Sequence, residues 1–196
     1  MKTRLVFFSA ALLFASCTGH YGVIRSTTDD YQNSRNIRLL LSFYAREYDS
    51  EVHNVDMTFT RVIRPDGSEE AGVYAQVDKS AAAFDLKEEG FINIDGRKFP
   101  VSLQNRRENT LSRTDNTTTT QSVQDTTGNS TLTVVTGSST TNWKQAYFYC
   151  PFTHEQIDAL KNCRQIEFRY YAGPEPVTLR VKSSYVEKIR KWAEVK

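Results

Sequence analysis

Apolar residues recur at every second position in several stretches of this chain, and that period decides which folds are open to it. Ile37, Leu39, Leu41, Phe43 and Ala45 alternate with polar or less buried neighbours, and Val55, Met57 and Phe59 repeat the pattern. Val73, Ala75 and Val77 do the same after "RPDGSEE", where Pro65, Asp66 and Gly67 supply turn chemistry. Successive side chains of a strand point to opposite faces, so each of these runs predicts a strand with one buried face. The stretch "GFINIDGRKFPVSLQ" also states its own pairing. Asp95-Gly96 suits a two-residue type I′ turn, whose twist matches a hairpin. With that turn at the tip, Ile94 opposes Arg97 and Ile92 opposes Phe99. Ile92, Ile94, Phe99, Val101 and Leu103 then share a face, so turn and period agree on one register. Pro100 has no N–H to donate and belongs on an edge or at a bulge.

The C-terminal third adds strands and two helices. "WKQAYFYC" reads as a strand dense in aromatics. Thr153 and Gln156 form a capping box, and Phe152 and Ile157 a hydrophobic staple, which predicts a helix over about 153–162. "IEFRYY" and "VTLRV" pair across Gly173, with Ile166, Phe168, Tyr170, Val177, Leu179 and Val181 inward. Ser184 and Glu187 make a second capping box, and Tyr185, Ile189 and Trp192 recur at helical spacing, predicting a helix over about 184–195. The expected fold is mainly β: an antiparallel β-sandwich or open barrel with two short helices, spanning residues 37–196.

Residues 108–142 break the pattern. Of these 35 residues, 22 are Thr, Ser or Asn, and apolar side chains are nearly confined to "TLTVV". A segment this polar cannot bury enough apolar surface to offset its ordering entropy, which argues for disorder. Threonine is β-branched and favours strands, which argues for a long Thr-rich hairpin arm turning at "TTGNS". The arm is the preferred reading. "DTT" at Asp125 to Thr127 resembles an O-glycosylation acceptor pattern of one group of Gram-negative bacteria, which marks Thr126 as a candidate site.

The first residues address the chain rather than fold it. Lys2 and Arg4 precede an apolar run from Leu5 to Ala15, too short to span a bilayer at about 20 residues and suited to a cleavable signal. Ala15 and Ser16 then abut Cys17. "LLFASC" resembles the lipobox of bacterial lipoproteins, with Phe14 where the family prefers Leu. The resemblance covers residues 1–17 and implies cleavage after residue 16, diacylation of the Cys17 thiol and anchoring to a membrane of the cell envelope. "TGH" after it lacks the acidic run that exports some lipoproteins to the surface, so the expected side is the periplasm. More than one acyl chain holds where a single chain is marginal. Residues 17–36, polar and without period, read as a flexible tether. The alternative is a secreted protein in which Cys17 is incidental.

Composition narrows the partners. The chain carries 25 Lys and Arg against 23 Asp and Glu, and loss of Lys2 and Arg4 with the signal leaves the two counts equal. A balanced charge offers no field for nucleic acid. Cys150 and Cys163 are the candidate disulfide in an oxidising compartment. His20, His53 and His154 form no metal-ligand spacing, so no metal or other cofactor is expected. "YCPFTHE" places Cys150 before a helix start and His154 in its first turn, a candidate thiolate–imidazole pair. Core packing of Cys150 is the preferred reading, and an enzyme is not expected. The tyrosines and tryptophan Tyr44, Trp143, Tyr147, Tyr149, Tyr170 and Tyr171 are read first as core and strand-surface packing. Because adjacent aromatics on a strand must face opposite ways, some are left as candidates for a glycan platform. The leading expectation is a lipid-anchored module that binds an envelope protein; a glycan-binding module is the alternative.

Overall fold

The computed structural model describes residues 21–44, 51–124 and 130–195. The lipobox cysteine Cys17, Ala45, and Thr126 at the expected arm turn all lie outside the described residues. In chain order the elements are β1 (Ile24–Asp29), β2 (Ser34–Tyr44), β3 (Val52–Ile63), β4 (Glu69–Ser80), β5 (Glu89–Ile94), β6 (Arg97–Ser102), β7 (Gln104–Gln124), β8 (Ser130–Phe152), α1 (His154–Lys161), β9 (Ile166–Ala172), β10 (Glu175–Arg180) and α2 (Ser183–Glu194). Six strands form one sheet in the order β1-β2-β3-β4-β8-β7, and four form a second in the order β10-β9-β5-β6. All the pairings are antiparallel. The larger sheet curls into a half-barrel, so the architecture is the mainly β sandwich or open barrel that the alternation implies.

The alternating positions supply the core. Leu39 pairs with Phe59 and Phe59 with Val73, so the inward residues of β2, β3 and β4 stand in rows across one face. Val73 in turn opposes Cys150 on β8. Ile92, Ile94, Phe168 and Leu179 bring the second sheet's inner face onto them, and each of these side chains is buried. The β5–β6 hairpin has the register that Asp95-Gly96 specifies, with Ile94 opposite Arg97 and Ile92 opposite Phe99. Asp95 and Gly96 both take positive φ, at 50° and 88°, as a type I′ turn requires. Pro100 falls on β6, the sheet's edge, where its missing N–H costs no ladder bond.

Both helices form, and one starts differently from expectation. At α1 the Thr153 hydroxyl accepts from the Gln156 N–H at 3.2 Å, and the Gln156 side chain accepts from the Thr153 N–H at 2.7 Å. The second capping box does not form. Tyr185 and Val186 N–H both bond to the Lys182 carbonyl, so α2 begins at Ser183 with an uncapped Lys182 before it, and Ser184 and Glu187 are already helical. Trp192 on α2 is wholly buried and meets Phe59 edge-on at 5.5 Å.

Arg61 holds that helix from below. It continues the inward register of Met57 and Phe59 and is 5 % exposed. Its Nε and Nη2 donate to the two Glu69 oxygens at 2.7 and 3.0 Å. Its Nη1 donates to the carbonyls of Trp192, Ala193 and Val195 at 3.1, 2.8 and 2.9 Å. The last carbonyls of a helix have no partner within it, and here one guanidinium takes that place.

The expected tether is corrected in its second half. Residues 24–29 form β1 and pair with β2, which itself starts at Ser34 rather than Ile37. The Asp29 carboxylate accepts from the Tyr31 and Gln32 N–H groups, and Asn33 takes φ 49°, which closes the β1–β2 turn. β1 is an edge strand with no side chain fully buried, so it carries no alternation for the sequence to display.

Candidate functional site

The Thr-rich segment is ordered strand over its described length. β7 and β8 pair residue for residue from Arg107 opposite Tyr147 to Gln124 opposite Ser130. β4 covers β8 only as far as Ser80 opposite Trp143. Beyond that row the two strands run on as a ribbon with no third strand among the described residues, for roughly 40 Å at about 3.3 Å per residue. Side chains on both faces are exposed, including Leu132 at 70 % and Val134 at 61 %. The hydroxyls of Thr114 and Thr140 meet across the ribbon at 3.1 Å. Cross-strand backbone bonds and β-branched pairs hold such a ribbon, with little burial to help.

Its root is fastened by charge. Lys79 near the end of β4 opposes Lys144 within β8, and Glu108 of β7 lies 2.8 Å from the first and 3.5 Å from the second. The segment 81–88, which carries the chain from one sheet to the other, receives the same cations. Lys144 donates to the Ala83 carbonyl at 3.0 Å, Lys79 to that of Phe84 at 2.5 Å, and Arg106 to that of Leu86. Lys79 is fully buried, and its charge is met by Glu108 and that carbonyl. The Lys144 ammonium loses solvation there, yet hydrogen bonding to Asp85 and the charge of Glu108 raise its pKa above the ordinary lysine value. Hydrogen bonding to Glu108 and then Lys144 holds the Asp85 carboxyl below the usual range. The sequence did carry a signal for this: Lys79 sits in register with Val73, Ala75 and Val77, an inward lysine at the end of a core strand.

A cleft opens beside the root on the opposite face of the sheet. The β7–β8 register slips between Gln104 and Arg107, where Asn105 takes φ 52°. This bulge leaves a space of about 430 Å³ lined by Tyr74, Tyr147, Tyr149, Asn105, Arg106 and Arg107. Tyr74 and Tyr149 are directly opposed on β4 and β8, their ring centroids 4.5 Å apart and their planes at 34°. Gly72 makes room for this: a Cβ there would stand 2.5 Å from the Tyr149 hydroxyl. Tyr147 donates to the Gln145 side chain, which itself donates to Asp78 at 2.8 Å. Partial burial, and next the charge of Glu70, push the Tyr149 phenol above its ordinary pKa.

The candidate aromatic platform is thus divided. Tyr147 and Tyr149 reach the cleft, joined by Tyr74, which the sequence reading did not single out. Tyr170 is buried and stacks on Phe168, and Tyr171 faces out from the other sheet beside Phe91 and Lys87. Trp143 is half-buried in the arm's first row, and the side chain of Tyr44 lies outside the described residues.

The candidate disulfide is corrected, while Cys150 packs in the core as the preferred reading has it. Cys150 and Cys163 are both free and buried, so the candidate disulfide is not formed. The intervening helix carries Cys163 to its far end, where its thiol donates to the Leu160 carbonyl at 3.2 Å. Burial pushes the Cys150 thiol up to about 12 and the Cys163 thiol up to about 11. Cys150 faces the core while His154 is exposed, and no hydrogen bond joins them. Among the described residues no three His, Cys, Asp or Glu side chains are grouped to hold a metal, and no helix is long and apolar enough to cross a membrane. Comparison with protein-family models, with curated proteins and with solved structures finds no match for this chain.

Proposed function

We propose that this chain is a lipid-anchored, non-enzymatic protein of the bacterial envelope, attached through Cys17 and facing the periplasm, whose arm binds a protein partner by taking up one of its strands. The observation that carries the reading is the ladder from Ser112 opposite Asn142 to Gln124 opposite Ser130, which has no neighbouring strand on either side among the described residues. An open strand edge presents unpaired N–H and C=O groups, and an extended partner segment satisfies them by strand addition. The polar faces keep such an edge in water, and the half-exposed Val135 with Leu132 and Val134 gives a partner apolar side chains to cover.

Crosslinking of the native anchored protein, followed by capture, tests the partner. Removing residues 114–140 and joining the ends through a short Gly-containing turn should leave the melting temperature within about 2 °C and abolish the crosslinked product. A crosslinked product of unchanged yield would overturn the role of the arm. The anchor has its own test: Cys17→Ser should release the protein from the membrane fraction, and retention there would refute lipidation.

A further inference from the structure

We propose that the cleft between Tyr74, Tyr147, Tyr149 and the β7 bulge is a binding site for a saccharide bearing a carboxylate. Its volume of about 430 Å³ falls within the range of about 300–1,000 Å³ usual for small-molecule sites. Three phenol side chains meet there, and Tyr74 is 54 % exposed. Aromatic faces receive the C–H faces of pyranose rings, and phenol hydroxyls at their rims exchange hydrogen bonds with sugar hydroxyls. A cross-strand tyrosine pair would serve sheet packing alone if the neighbouring strand ran flush against it. Here the slipped register of β7 leaves the pair beside open space, with the side chains of Asn105, Arg106 and Arg107 at its rim.

Charge selects among sugars. No acidic side chain lines the cleft, and two arginines do. Arg106 is engaged with the Leu86 carbonyl and with Glu88 at 2.6 Å. Arg107 is exposed and makes no ion pair or hydrogen bond among the described residues; it stands opposite Tyr147 in the ladder. A guanidinium on a tyrosine floor matches a carboxylate held at the edge of a sugar ring, because its fork of N–H groups fits two carboxylate oxygens. The site is independent of the arm beyond residue 113, so it stands or falls apart from the strand-addition reading.

Calorimetric titration of the full chain decides it, with trigalacturonic acid as the probe. Neutral galactotriose and citrate separate the contributions of ring and charge. The acidic trisaccharide should bind, with the neutral one and citrate each at least about tenfold weaker. Arg107→Gln should cost the acidic sugar about tenfold and leave the neutral sugar unchanged, and Tyr74→Ala should weaken both sugars. Both side chains are exposed, and matching melting temperatures show that the variants fold. Equal binding of acidic and neutral sugars would overturn the role of Arg107, and citrate binding as well as the sugar would overturn that of the tyrosines. Absence of binding at about 10 mM, weaker than about 3 kcal/mol, would overturn the site itself. Removal of residues 114–140 should leave the titration unchanged.

Discussion

The sandwich body and the arm are built from the same antiparallel ladder, and they are held by different forces. In the body each strand buries a face: Leu39, Phe59 and Val73 line up across three strands with no exposure at all. At about 25 cal/mol per Å² of apolar area, a fully buried side chain of that size contributes about 1.5–3 kcal/mol. In the arm Thr118 opposes Thr136 and Thr120 opposes Val134, with all four exposed. Pairs of this kind contribute about 0.2–1 kcal/mol each. The arm therefore persists by being a continuation of two body strands, secured where Lys79, Glu108 and Lys144 meet. A ladder of hydrogen bonds does not need a core along its whole length if one end is rooted in one.

Four changes probe that contrast, in order of falling effect. Arg61→Ala removes the partner of Glu69 and of the Trp192, Ala193 and Val195 carbonyls, and should cost about 3–5 kcal/mol in urea unfolding, as breaking a buried ion pair does. A cost below 1 kcal/mol would mean that α2 docks by its apolar face alone. Lys79→Ala should cost about 2 kcal/mol, less because Glu108 keeps Lys144. It should also speed amide exchange along residues 107–113, and unchanged exchange there would break the idea that the root holds the arm.

Alkali should loosen the body through Cys150. Its pKa is raised from 9.0 to about 12 in the fold, so the unfolded chain ionises first. Below pH 9 both states keep the proton and its contribution is complete. Between pH 9 and about 12 the contribution is lost, at up to about 1.4 kcal/mol per pH unit. Urea unfolding at pH 8.5 and 10.5 measures this slope. Cys150→Ala should be less stable at the lower pH and should show a shallower fall; an equal fall would assign the effect to other groups. The smallest effect belongs to the arm: Thr114→Ala should change stability by less than about 0.5 kcal/mol, even though it removes the 3.1 Å contact with Thr140. A cost similar to that of Arg61→Ala would erase the distinction between body and arm.

Where local chemistry decides structure, the sequence was legible. The strands with a buried face announced themselves by alternation, the β5–β6 register by Asp95-Gly96, and α1 by Thr153 and Gln156. Residues 108–142 left a choice between ribbon and disorder, because β-branching and polarity pull in opposite directions there; the strand preference prevails once β8 is already paired with β4 at its other end. The helix start at Ser183 was missed because Ser184 and Glu187 satisfy a spacing rule that takes no account of where the preceding strand releases the chain.

Tertiary structure alone decided the rest. β1 has no buried face and therefore no period to read; it exists because β2 offers it an edge. The role of Arg61 depends on carbonyls more than 130 positions away in the chain, and that of Lys79 on a glutamate from another strand. Tyr74 and Tyr149 become one cleft only through the pairing of β4 with β8 and the bulge in β7. Alternation and turn residues act between near neighbours, so one strand's sequence records them. A buried ion pair or a cleft joins residues that meet only after the strands have been ordered, and no local pattern specifies that order.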